Sequence, residues 1–359
     1  RGVPVVMGGF HATLMPDEVQ EYAESVVVGE AEGIWPTVIE DARRGRLQPR
    51  YRALRRPDIS CAGPDRSIFA GKRYLSVGLV EAGRGCNFKC EFCAVQSFFD
   101  ATQNRRSVET IVEEIRSIRD RRRLFFFVDD NMVAHPQAAK ELFRALIPLE
   151  IKWVSQATVT MAYDEEMLEL MRESGCQGVL IGFESLDDRN LAVMNKSFNT
   201  ARMGPAQAIR RLHAHGLRLY ATFVFGYEHD TLESFERTLR FCVDEGIFMV
   251  AFNHLTPFPG TPLYARLERE GRLLYDRWWL DDRYRYGQVP FRTSVPPEVI
   301  TERCVEMRKR FYSPGSILRR AGNWANISNW TMFHSYFFIN WLLRKEASQR
   351  EHYPLGDLS

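Results

Sequence analysis

The run Arg84-Gly85-Cys86-Asn87-Phe88-Lys89-Cys90-Glu91-Phe92-Cys93 places three thiols within eight residues, spaced Cys-x3-Cys-x2-Cys. Thiolate is the usual ligand of iron–sulfur clusters, and close spacing lets one loop wrap one cube. A [4Fe–4S] cube held by three cysteines keeps one iron without a protein ligand, and an open metal position is where a substrate binds. Three other readings compete: structural zinc, buried structural cysteines, and a disulfide with one spare thiol. Zinc asks for four ligands, usually as two separated pairs, and no further Cys or His lies close by. Cys61 is well upstream and His135 lies beyond a predicted helix. Gly85, Asn87, Lys89 and Glu91 make the segment a polar loop rather than a core strand. A disulfide suits a secreted chain, and nothing else here suggests secretion. The cluster reading leads, with the others behind it.

Cys86-x3-Cys90-x2-Cys93, with aromatic Phe92 before the last cysteine, resembles the signature of radical S-adenosylmethionine (SAM) enzymes. The resemblance extends over roughly residues 70–315. It implies that the amino and carboxylate groups of SAM chelate the fourth iron. Reductive cleavage would then give a 5′-deoxyadenosyl radical that abstracts hydrogen from the substrate, with flavodoxin or ferredoxin as reductant.

The elements that must position this loop follow from the periodicity. Strands are predicted near 75–82 (the first opening at Tyr74), 124–128, 152–159, 178–183, 217–225 and 247–253. Helices are predicted near 108–120, 136–147, 164–174, 203–215 and 231–245. Ser107 caps the first helix, and Asp164-Glu165-Glu166 places negative charge at the start of the third. Six strand–helix repeats predict an α/β fold, a partial (β/α)6 TIM-like barrel over 74–264. In such barrels chemistry collects at the C-terminal strand ends, which selects the residues to consider.

The second strand runs into Asp129 and Asp130, which could accept from an ammonium or hydroxyl, or simply cap a helix. The fourth ends at Gly182-Phe183-Glu184-Ser185, where a Glu at a buried mouth needs a partner. The resemblance implies that Glu184 meets the SAM ribose, that Asp129 and Asp130 approach its amino group, and that Lys196 meets its carboxylate. Arg105 and Arg106 are further candidates, and Gly226 at the fifth strand end would leave room for adenine or substrate. Gln156 and His254 are candidates whose plainer reading is structural. The stretch Pro257 to Pro262 resembles the family's Pro-x-Pro-Gly-Thr-Pro-Leu element.

Residues 1–50 read strand, helix, strand, helix, with Val3–Met7 and Ser25–Val28 as the strands. Gly8-Gly9-Phe10-His11-Ala12-Thr13, Pro16-Asp17-Glu18 and Gly29-Glu30-Ala31-Glu32-Gly33 are similar to the second half of the flavodoxin-like cobalamin-binding domain that precedes many radical SAM barrels. That likeness adds cobalamin as a possible cofactor, while His11 sits outside the family's cobalt-ligating motif and is not proposed as a ligand. The chain opens Arg-Gly-Val-Pro without Met, as a piece of a longer protein would. Residues 51–73, with Pro57, Gly63, Pro64, Gly71 and Cys61, read as a linker. Residues 265–359 read as a mainly α-helical region where substrate specificity would lie, and the aromatics at 278–286 and 324–341 fit either a pocket for an apolar small molecule or a docking surface.

The 48 basic and 46 acidic residues leave a net charge of +2, which predicts no nucleic-acid or membrane partner; Arg121-Arg122-Arg123 reads as a solvated helix end. Seven cysteines, three of them clustered, fit a reducing cytoplasm. No apolar run is long enough to span a bilayer. The leading expectation is radical SAM chemistry with cobalamin-associated methyl transfer to unactivated carbon or to phosphorus. Ring formation or rearrangement, methylthio transfer, and a non-enzymatic electron-transfer or sensor role are the alternatives. Methylthiotransferases carry three more cysteines in an additional domain, which residues 1–73 lack.

Overall fold

The computed structural model describes residues 2–61, 63–69, 71–72, 75–122, 124–285 and 287–349. Tyr74, Arg123 and Tyr286, and the side chains of Cys61 and Arg121, lie outside the described residues. Two compact units form: Arg1–Ala134 with Pro257–Arg266, and His135–Thr256 with Leu267–Ser359.

The first unit opens with three strands, β1 (Val6–Met7), β2 (Ser25–Val28) and β3 (Arg50–Arg52), in a parallel sheet of that order. Helices α1 (Phe10–Leu14), α2 (Pro16–Gln20) and α3 (Trp35–Arg43) make the crossovers. β2 is buried on both faces, so its Ser-Val-Val-Val reads as a continuous run rather than an alternation. Farther on, β4 (Val77–Val80) pairs in parallel with β7 (Leu124–Phe127), from Val77 opposite Leu124 to Val80 opposite Phe127. Between them lies an antiparallel ribbon, β5 (Gly83–Gly85) with β6 (Gln103–Arg105). The short helix α4 (Ala94–Phe98) lies inside the loop that the ribbon closes, and α5 (Val108–Ile118) returns the chain to β7. Ser107 caps α5 by accepting from the Thr110 N–H.

In the second unit β8 (Trp153–Ala157), β9 (Cys176–Glu184), β10 (Arg218–Phe225) and β11 (Met249–His254) form a parallel run in chain order. Helix α6 (Pro136–Leu146) leads into this run, and α7 (Glu165–Glu173), α8 (Asp188–Val193), α9 (Pro205–Ala214) and α10 (Leu232–Asp244) lie between its strands. Asp164 caps α7 by accepting from Met167 N–H. After α11 (Pro262–Arg269) come α12 (Pro297–Phe311), α13 (Pro314–Ala321) and α14 (Trp330–Gln349). Arg320 of α13, 0% exposed, ties them to the strand layer. Its guanidinium donates to the carbonyls of Ile247, Phe248 and Phe311 and to Asn340 Oδ1, and lies 3.7 Å from the Phe311 ring centroid.

The expected α/β alternation with a helical C-terminal region is present. Two local departures have a physical cause. The strand expected through residue 82 stops at Val80, because the Ala82 N–H turns to the Asp129 carboxylate and the Gly85 N–H to Asp130. Arg50–Arg52, at the edge of the stretch read as linker, completes the first sheet by pairing with β2.

Candidate active site

In the first unit the cysteine loop runs from the end of β5 to the start of β6. Gly85 has φ +91°, and a Cβ there would stand 2.2 Å from the Thr102 carbonyl, so the strand end admits glycine alone. Cys90 is buried, while Cys86 and Cys93 are half-buried. The Cys93 N–H donates to the Cys90 carbonyl at 3.2 Å, a tight turn after which α4 begins. Glu91, buried and next to Cys90 in sequence, accepts from both Nε and Nη2 of Arg266 at 3.1 and 2.8 Å, and its carbonyl accepts from Leu263 N–H. Asn87 Nδ2 donates to the Ala134 carbonyl at 2.9 Å. The loop is thus pinned along its length, with sulfur as its chemistry-bearing atom type. Among the described residues no three thiol, imidazole or carboxylate groups enclose one metal ion. A four-iron cube makes a different demand: each thiolate meets its own iron. Three thiols on one pinned loop fit that group.

Asp129 and Asp130 stand beside the loop. Asp129 is 0% exposed; its Oδ2 accepts from Ala82 N–H at 2.9 Å, and its Oδ1 has no partner among the described residues. Burial pushes its carboxyl up to about 7. Asp130 Oδ2 accepts from Gly85 N–H at 2.7 Å, and burial raises its pKa too. The two carboxylates therefore hold the backbone that enters the cysteine loop. Arg106 is buried and engaged by Glu114 at 2.5 Å and by the Glu81 carbonyl at 2.9 Å, which makes it a scaffold cation here.

In the second unit, Glu184 and Lys196 form one buried pair, each 7% exposed, with Nζ 2.7 Å from Oε1. Lys196 also donates to the Gly182 carbonyl at 2.8 Å. The ladder slips by one residue at Thr222/Phe223, so that Phe223 stands opposite Glu184, and Glu184 takes the left-handed conformation with φ 63°. A Cβ at Gly182 would fall 2.0 Å from the Glu184 carboxylate. The sequence alone left Glu184 between a ribose contact and a structural ion pair; its carboxylate meets Lys196 here.

Gly226 follows β10 directly, with φ +125°. Its N–H and that of Tyr227 donate to Asp230 Oδ2 at 2.8 and 3.0 Å, and Asn190 Nδ2 donates to Oδ1 at 3.0 Å. Burial holds Asp230 up at about 6. His254 ends β11, where burial, with the Arg308 charge adding to it, lowers its imidazole to about 4.

Spacing missed several contributors. Arg84 bridges Glu30, Glu32 and Glu81, and Arg56 donates to Glu30 Oε2 at 2.7 Å. Phe10 stacks on Phe98 at 4.4 Å between centroids. Around them is a cavity of about 720 Å³ whose walls include Gly9, Trp35, Glu32, Arg84, Phe99 and Asp130. Neighbouring Gly-Gly and Gly-Glu-x-Glu-Gly turns were visible in the sequence, and their charge partners in the cysteine segment were not. Asn131 Nδ2 donates to Cys86 Sγ at 3.5 Å, and the strand-end rule that picked out Asp129 and Asp130 would have found it one residue on. The C-terminal aromatics divide: Trp278 and Tyr336 are buried, while Trp324, Trp330, Phe338 and Trp341 are exposed.

Residues 80–242 match the Radical SAM superfamily, and residues 261–334 match a domain of unknown function. A bacteriochlorophyllide d C-12(1)-methyltransferase of Chlorobaculum tepidum is 29% identical over 354 residues, covering 96% of this chain and 76% of that protein. A hopanoid C-2 methylase of Rhodopseudomonas palustris is 27% identical over 331 residues, covering 89% of this chain and 61% of that protein. The fold is shared with the radical SAM methyltransferase TsrM of Kitasatospora setae, solved with cobalamin and a [4Fe–4S] cluster bound. The TM-score is 0.67 at 15% identity, over 97% of this chain and 83% of that one. The chain therefore spans 76% and 61% of the two curated relatives.

Proposed function

We propose that the chain is a radical SAM enzyme of the class associated with cobalamin-binding domains, and that it cleaves SAM reductively and directs a methyl group to an unactivated carbon of a small molecule. The observation that carries this reading is the pinned loop presenting Cys86, Cys90 and Cys93, with its ends clipped by β5 and β6. When bound and reduced by a flavodoxin- or ferredoxin-type donor, the cluster would supply the one electron that breaks the C5′–S bond of SAM, with methionine as leaving group and the 5′-deoxyadenosyl radical as the species that attacks substrate. The protein's own work is orientation and exclusion of water.

Cys86, Cys90 and Cys93 would each hold one iron. Asp129 and Asp130 fix the approach of the loop backbone, and Asp129 Oδ1 is the acceptor left over for a cofactor donor. Glu184 and Lys196 would exchange part of their mutual bond for the ribose hydroxyls and carboxylate of SAM. Gly226, held by Asp230, keeps the fifth strand end clear. Arg106 belongs to the scaffold in this reading. Residues 74–264 are read as the partial (β/α)6 barrel, 51–73 as a linker, and 265–359 as the specificity region. Residues 1–50 are read as the second half of a flavodoxin-like cobalamin-binding domain, and the cavity beside Gly9, Trp35 and Arg84 as the corrinoid-facing surface. Relatives with methyltransferase or methylase names match over 96% and 89% of the chain and support methyl transfer, while a magnesium-protoporphyrin IX monomethyl ester cyclase, 26% identical over 73% of the chain, keeps ring formation as the second reading.

The deciding experiment is anaerobic reconstitution with iron and sulfide, reduction with SAM present, and assay for 5′-deoxyadenosine. Product that is lost in Cys90→Ala supports the reading. A reduced cluster whose EPR spectrum ignores SAM overturns it in favour of electron transfer.

A further inference from the structure

We infer that Asn131 is a positioning residue that raises the reduction potential of the cluster by donating a hydrogen bond to the sulfur of Cys86. The inference rests on the cluster reading above and concerns a residue that reading does not use.

Asn131 is 2% exposed and is gripped at three atoms. Its Oδ1 accepts from Val133 N–H at 3.3 Å, and its carbonyl accepts from Gln103 Nε2 at 2.9 Å. With Oδ1 committed, the amide has one orientation, and the group that faces Cys86 Sγ at 3.5 Å is the N–H donor. A neutral thiol is a weak acceptor, and a buried amide donor facing one is poorly satisfied. A thiolate carrying charge is a much better acceptor, so the arrangement suits Cys86 in its iron-bound form. Withdrawing density from the sulfur favours the more negative, reduced cluster, and hydrogen bonds to sulfur are among the levers that set cluster potentials. Gln103 is on the ribbon that closes the cysteine loop, so the same contact fixes Asn131 relative to Cys86.

The test is a dye-mediated redox titration followed by EPR on the reconstituted wild type, Asn131→Leu and Asn131→Asp. Both variants should carry wild-type iron content and be at least tenfold harder to reduce, which for one electron is a fall of about 59 mV. Asn131→Asp should lie lowest, because it exchanges the donor for an anion. A variant with full iron content that titrates at the wild-type potential overturns the inference. Should Asn131→Leu not fold, the isosteric Asn131→Asp decides alone by the same criterion. A wild type with no reducible cluster removes the cluster reading itself; a reducible wild type with unshifted variants removes only the role of Asn131.

Discussion

Glu184 occupies a backbone conformation that non-glycine residues seldom adopt, at φ 63°, and does so with a carboxylate buried against Lys196. Such a conformation costs on the order of 1–2 kcal/mol and persists where the surroundings over-determine it, which is common at ligand clamps. Removing one member of a buried pair leaves an uncompensated charge. Glu184→Gln and Lys196→Met should therefore each destabilise by about 3–5 kcal/mol. The double variant should lose less than their sum, and urea unfolding of the three proteins gives the cycle. If the pair also meets SAM, each single variant should weaken SAM binding at least tenfold by equilibrium dialysis. Additive losses in stability with unchanged SAM binding would assign both residues to neither role.

The strand–helix alternation was legible because its signals are local: apolar runs, with Ser107 and Asp164 as caps. The β5–β6 ribbon was not. Gly83-Arg84-Gly85 has no apolar alternation, and its conformation is fixed by Asp129 and Asp130, 45–47 residues farther along the chain. The Glu91–Arg266 clamp spans 175 residues and has no signature in spacing. Helix α9 carries a buried imidazole from which a pH dependence of stability follows. His213, on its buried face, lies with Nδ1 2.8 Å from Asn323 Nδ2, so the ring accepts there and stays neutral. Burial lowers its pKa to about 4, below the ordinary 6.5. The unfolded chain then takes up a proton that the folded one refuses. Stability is fully present above about pH 6.5 and declines as the pH falls toward about 4. His213→Gln should flatten that slope in unfolding midpoints measured from pH 7 to 4.5, and an unchanged slope would contradict the assignment.

For the whole molecule, the spacing of the three cysteines led to the family whose model matches residues 80–242, and no comparable spacing points to a substrate. The cavity of about 720 Å³ joins residues between 9 and 35 to residues between 81 and 130, so it was invisible to a reading made segment by segment. If it faces a corrinoid, the purified chain should bind hydroxocobalamin in a spectrophotometric titration. Trp35→Ala and Phe10→Ala should then weaken that binding about tenfold while iron content stays unchanged. Equal binding by all three proteins would place the corrinoid elsewhere.

The ribbon that clips the cysteine loop also bears on how the chain closes that loop. Joining the ends of a segment the length of residues 86–102 costs on the order of 2–3 kcal/mol of chain entropy. The antiparallel bonds between β5 and β6 offset that cost with backbone groups alone. The loop's tether is therefore written into the polypeptide, and substitutions at Cys86, Cys90 or Cys93 leave the groups that form it in place.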